Sequence, residues 1–114
     1  MSRDYAKFAD DENGDVLLRM SQSGDDLNKP REVDFSVIFP SEEAALQFAV
    51  HLLRSDQKVS FAPYPEHPER PWQVQAHPVL VPSHENITGY EDQLARDAEP
   101  LGGRNDGWGC FQQD

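Results

Sequence analysis

Residues 32–54, EVDFSVIFPSEEAALQFAVHLLR, read as one strand running straight into one helix, and the rest of the chain has to complete what they begin. Val33, Phe35, Val37 and Phe39 alternate with Glu32, Asp34, Ser36 and Ile38, the period of two expected of a strand with one face buried and the other mostly wet. Pro40 stops the strand. Ser41 is placed to cap a helix, and Glu42 and Glu43 put negative charge in its first turn, where the helix dipole favours it. Ala45, Phe48, Ala49, Leu52 and Leu53 then recur at helical spacing, giving an apolar stripe that can lie on the face the strand presents.

Downstream, residues 57–62 read as a second strand, with Val59 and Phe61 on one side and Lys58 and Ser60 on the other. Pro63, Pro65, Pro68 and Pro71 follow, a density that no helix or central strand survives, so residues 63–71 are expected to form an extended, stiff loop between two strands. A PxxP ligand is the alternative reading. Residues 72–77 alternate again as a third strand, which Val79, Leu80 and Val81 extend, with Pro78 implying a bulge or an edge. Ser83 caps a second helix carrying Ile87, Tyr90, Leu94, Ala98 and Leu101 on one face. Gly89 weakens that helix by about 1 kcal/mol relative to alanine and would admit a close neighbour. Gly102 and Gly103 end it, and residues 104–111 form a final strand.

Upstream, residues 1–15 are acidic with few apolar anchors and are expected to be flexible. Residues 16–23 form a short helix capped by Asn13 or Asp15 and ended by Gly24. Asp25 and Asp26 lie in the polar loop before the first strand, close enough to Arg31 for a local ion pair worth under about 1 kcal/mol if exposed. The order of elements predicts one α+β domain over residues 16–114, a ferredoxin-like split βαβ sandwich. In it a four-stranded antiparallel sheet carries two helices on one face, with the short N-terminal helix added. The open sheet face would present Glu32, Asp34, Ser36, Ile38, Gln73, Gln75 and His77.

The totals agree with one modest core: 114 residues, 37 % hydrophobic, with nine prolines. No apolar run approaches the length of a membrane span, and the charged N-terminus lacks the apolar middle of a signal peptide, so a cytoplasmic protein is expected. Cys110 is the sole cysteine and has no internal disulfide partner. Twenty-one acidic against ten basic residues give a net charge of -11. No basic stripe is visible, which argues against direct binding of nucleic acid or an anionic membrane. The acidity serves either solubility or attraction to a basic partner.

Little in the sequence points to catalysis. Cys110 with His77 or His84 and an aspartate could be assembled on paper, but no glycine elbow or other local signature supports them. No Cys or His pair has metal-ligand spacing, His51 reads as a surface residue, and Gly102-Gly103 precedes no helix that could cradle phosphate. The reading is therefore of a protein with no catalytic residue, metal or cofactor. Asp106-Gly107-Trp108-Gly109 is harder to place, since glycine weakens strands. Strict alternation would set Asp106, Trp108 and Cys110 on one side, with Trp108 filling the core and a direct binding role for its ring as the alternative.

Three stretches, GDDLNKPREV at 24–33, PSHE at 82–85 and GRNDGWG at 103–109, resemble the regulator of ribonuclease E activity B (RraB-like) family. The likeness spans roughly 90 residues, from the loop before the first strand onward, and Asp106-Gly107-Trp108-Gly109 is its most specific part. It implies a ferredoxin-like fold without a catalytic site, and an inhibitor that binds the endoribonuclease and so alters RNA turnover. The candidate contacts on that reading are Asp25, Asp26, Glu32, Asp34 and Asp106, with Trp108 beside them, meeting a basic segment of the partner. Family members can carry a long acidic segment after the tryptophan motif, where this sequence reads Phe111-Gln112-Gln113-Asp114, and the loop at 63–71 is longer than the family suggests. The alternative is a structural module that self-associates through its open sheet or binds a different protein.

Overall fold

The computed structural model describes residues 4, 5 and 7–111. Its elements are α1 (Glu12–Gln22), β1 (Arg31–Phe39), α2 (Glu42–Arg54), β2 (Val59–Pro63), β3 (Trp72–Ala76), β4 (Val79–Leu80), α3 (His84–Ala98) and β5 (Arg104–Cys110), with a 3-10 turn at Glu99–Leu101. β1 and α2 form as their spacing requires. Val33, Phe35, Val37 and Phe39 are all buried, and the Ser41 hydroxyl accepts the Ala44 N–H at 3.1 Å. Ala45, Phe48, Ala49 and Leu52 turn inward, and the Phe48 ring packs 5.0 Å from that of Phe39. Each such large side chain contributes about 1.5–3 kcal/mol by leaving water. Leu53, expected in the same stripe, lies past its edge and is 55 % exposed.

The sheet is antiparallel and has five strands where four were expected, in the order β2-β3-β1-β4 with β5 also paired to β1. Pro78 makes the difference. β1 pairs Phe35 with Ala76 on β3, and pairs Arg31 and Glu32 with Leu80 and Val79 on β4. The register is the same across both, and the Val33 N–H still donates to the Pro78 carbonyl at 2.9 Å. Proline has no N–H to return to the ladder, so what periodicity reads as one extended strand is divided into two collinear ones.

The inward side chains of the strands share one cluster with Phe48 and Leu52 of α2 and Ile87, Leu94 and Ala98 of α3. Both helices therefore cover the same sheet face. Gly103 follows the 3-10 turn where a Cβ would come within 2.4 Å of the Phe39 ring, so close packing demands glycine there. Gly89, by contrast, faces open space, and the close neighbour expected at it is absent.

Two further expectations are corrected. Alternation puts Ile38 on the wet face, yet it is 1 % exposed. It lies at the end of the sheet crossed by the proline-rich loop, where Arg70 Nε donates to the Gly102 carbonyl at 3.1 Å and Tyr64 bonds to Asp106. α1 begins at Glu12, four residues ahead of the expected start, because Asp11 accepts the Gly14 N–H at 2.8 Å and is the cap in place of Asn13 or Asp15. The helix packs on α3 and carries Leu17 into a second small cluster with Phe8 and Leu27.

Candidate functional site

The Asp-Gly-Trp-Gly stretch lies in β5, where the pairing with β1 slips by one residue. Phe35 faces Trp108, yet Val37 faces Asn105, so Asp106 and Gly107 together stand opposite Ser36. Gly107 takes φ 102° at this bulge, a conformation that side chains resist. The slip breaks the expected alternation. Asn105, Trp108 and Cys110 pair with the buried Val37, Phe35 and Val33, while Asp106 is exposed. Its carboxylate accepts from the Tyr64 hydroxyl and, being negative, raises the phenol's pKa.

Trp108 is half-buried and packs against both apolar clusters. Its indole N–H donates to Asn13 Oδ1 at 2.9 Å, and Asn13 Nδ2 donates in turn to Glu91 Oε1 at 2.6 Å and Thr88 Oγ1 at 3.1 Å. One asparagine on α1 thus joins β5 to α3. Around it opens a cleft of about 610 Å³ whose charged lining consists of Asp11, Glu12, Glu91 and Asp106, with no basic side chain. Burial raises the Glu91 pKa, the bond from Asn13 opposes that rise, and nearby Glu12, Asp92 and Asp11 add to it. Asn105 Nδ2 donates to the Glu91 carbonyl at 2.9 Å, while its Oδ1 is buried without a hydrogen-bond partner among the described residues. His84 Nε2 lies 2.7 Å from Asp11 Oδ2, and the remaining three carboxylates still make a site that favours an incoming ammonium or guanidinium group.

The other expected contacts lie elsewhere. Asp25 is only 7 % exposed, because Arg31 Nη1 donates to both of its oxygens at 2.8 Å. The same guanidinium reaches the Asp26 carbonyl at 2.7 Å and the Phe111 carbonyl at 3.2 Å, so the local ion pair expected is formed, as a buried latch. The Asp26 side chain accepts the Asn28 N–H at 3.1 Å. Glu32 and Asp34 sit on the open sheet face, where Lys58 pairs with Glu32 at 2.9 Å and His77 Nδ1 meets Asp34 Oδ1 at 2.6 Å. His77 Nε2 lies 2.8 Å from Ser60 Oγ. Asp106 and Trp108 are therefore the two expected residues that meet in the cleft. Asn13, Glu91, Asp11 and Glu12 were missed as site residues because they come together only across α1 and α3.

Two chemical possibilities can be weighed against this geometry. Glu32, Asp34 and His77 offer three donor atoms within 4.8 Å of one another, a cross-strand grouping that linear spacing does not reveal. Lys58 already holds Glu32 there and Ser60 holds the His77 ring, so the group closes as a polar ladder across three strands. Cys110 and His77 cannot form a nucleophile and base. The former pairs with Val33 and the latter bonds Asp34, successive residues that point to opposite sides of β1. Burial also raises the Cys110 thiol pKa, only partly offset by Arg31, which disfavours the reactive thiolate.

No helix among the described residues is long and apolar enough to cross a membrane. No curated protein matches the chain. The family model described as regulator of ribonuclease activity B matches residues 10–110, from the residue before the Asp11 cap through the end of β5. The match takes in α1, the helix that supplies Asn13, as well as the tryptophan motif. The chain belongs to the RraB family, a family of regulators of ribonuclease activity and not of known enzymes.

Proposed function

We propose that the protein is a non-enzymatic inhibitor that binds ribonuclease E in the cytoplasm, taking a basic segment of the enzyme into the cleft between α1, α3 and β5. The observation that carries this reading is the lining of that cleft: four carboxylates, an indole and no basic residue. Asp106 and Trp108 are the central contacts. Glu32, Asp34 and Asp26 extend the acidic surface outside the cleft, and Asp25 acts through the loop it anchors to Arg31. A net charge of -11 adds a long-range attraction that speeds encounter with a basic segment. The split βαβ, ferredoxin-like reading of the fold is supported by the shared register of β3 and β4, which makes them one strand interrupted at Pro78.

The test is titration of ribonuclease E, or its basic segments as peptides, against the protein at rising salt. Affinity is expected to fall steeply with salt and to fall again in Glu12→Gln and Asp106→Asn, the latter keeping a side-chain oxygen to accept from Tyr64. Binding unchanged by a several-fold rise in salt, or by both substitutions together, overturns the reading.

A further inference from the structure

The outer face of α2 belongs to none of this. Among the described residues six large apolar side chains are strongly exposed, and three of them, Leu46, Val50 and Leu53, lie on this one helix. Steps of four and three residues bring them onto a single stripe beside the buried one. Along Leu46 and Val50 runs a shallow groove of about 740 Å³, lined also by Glu42, Glu43, Gln47, His51 and Arg54. Acid therefore sits at the start of the stripe and base at its end.

That pattern suits the helix's own dipole, and it is also self-complementary. In an antiparallel pair of identical helices the start of each meets the end of the other, and residues on the same flank face each other across the seam. Glu43 and Arg54 lie on the same flank. A two-fold contact would thus repeat a Glu43–Arg54 pair at both ends, with Leu46 and Val50 crossing between them. Charge also restricts where two copies could meet. Each chain carries -11, so most surfaces of two copies repel, whereas this stripe offers apolar contact and opposite charges together.

We propose that α2 docks antiparallel against α2 of a second copy, making a weak, reversible dimer. Its size sets the strength: α2 has 13 residues, hence a length of about 20 Å. Such a contact falls below the roughly 1,000 Å² of a stable interface. The dimer rests on α2 and the ribonuclease reading on the cleft, and the two surfaces share no lining residue. The two readings can therefore fail separately.

Sedimentation of the full chain from micromolar to millimolar concentration reads the outcome. The average mass is expected to climb towards twice the monomer with concentration, and to stay at one in Val50→Glu, with the circular dichroism spectrum unchanged. Glu43→Lys and Arg54→Glu should each stay monomeric alone and form a dimer when mixed, since only the mixture restores both charge pairs. A mass that stays at one throughout overturns the proposal, and so does a dimer that survives Val50→Glu, which would use another surface. If Val50→Glu abolishes ribonuclease binding while leaving the mass unchanged, the stripe belongs to that partner and the dimer is overturned.

Discussion

Two glycines flank Trp108, and the residues around them give each a different job. Gly107 sits at the bulge with φ 102°, whereas Gly109 is not held at positive φ, and a Cβ would meet nothing within 4 Å at either position. Gly107→Ala is therefore expected to cost about 1–3 kcal/mol through backbone strain alone, seen as a lower urea midpoint. Gly109→Ala should stay within roughly 0.5 kcal/mol of the parent. If Gly109→Ala nevertheless weakens ribonuclease binding, the strand surface beside Trp108 touches the partner directly. The slip at Gly107 is also where sequence reading failed: alternation assumes equal pairing along a strand, and a one-residue bulge leaves no mark on the count until the partner strand is known. Alternation therefore groups Asp106 with Trp108, whereas Asn105 is the residue that turns inward beside it.

At the level of elements, local signals were legible and long-range ones were not. Strand and helix periods, the Ser41 and Ser83 caps and the stop at Gly102 all rest on residues within a turn or two of each other. The cleft depends instead on Asn13 reaching Glu91, 78 positions away, and on Trp108 reaching Asn13, 95 positions away. Asn13 looked like a helix cap because Asp11, the true cap, stood in a run of acidic residues with nothing to single it out. The loop before β1 shows the same limit. Asp25 and Arg31 could be paired from sequence, but their burial, 2 % and 3 % side-chain exposure, could not be read there. Burial changes the magnitude: removing one partner strands the other charge out of water, so Asp25→Ala is expected to cost about 3–5 kcal/mol. Replacing both residues by apolar ones of similar volume should recover most of that loss. Equilibrium unfolding of the three variants distinguishes this latch from an exposed pair, for which the single substitution would cost under about 1 kcal/mol.

Over the whole molecule, the excess of negative charge bears on stability most clearly at Glu91. Burial raises its pKa, and the neighbouring carboxylates push the same way. The folded protein thus holds this proton more tightly than the unfolded chain does. Stability from Glu91 is fully present below the ordinary carboxylate pKa and is lost as pH rises through the higher folded value. Glu91→Gln keeps a side-chain oxygen for the bond from Asn13 and never ionises. It should therefore raise stability at neutral pH by less than about 1 kcal/mol, because the group is only part-buried, seen as a higher urea midpoint, and change little in acid. A protein selected for stability alone would gain from that substitution. If the cleft receives a basic segment, the same change removes a carboxylate that an incoming cation would satisfy, so neutral-pH affinity should fall as stability rises. A variant that is stabilised with unchanged affinity would make Glu91 a tolerated cost of packing α1 on α3 and would move the binding surface away from the cleft.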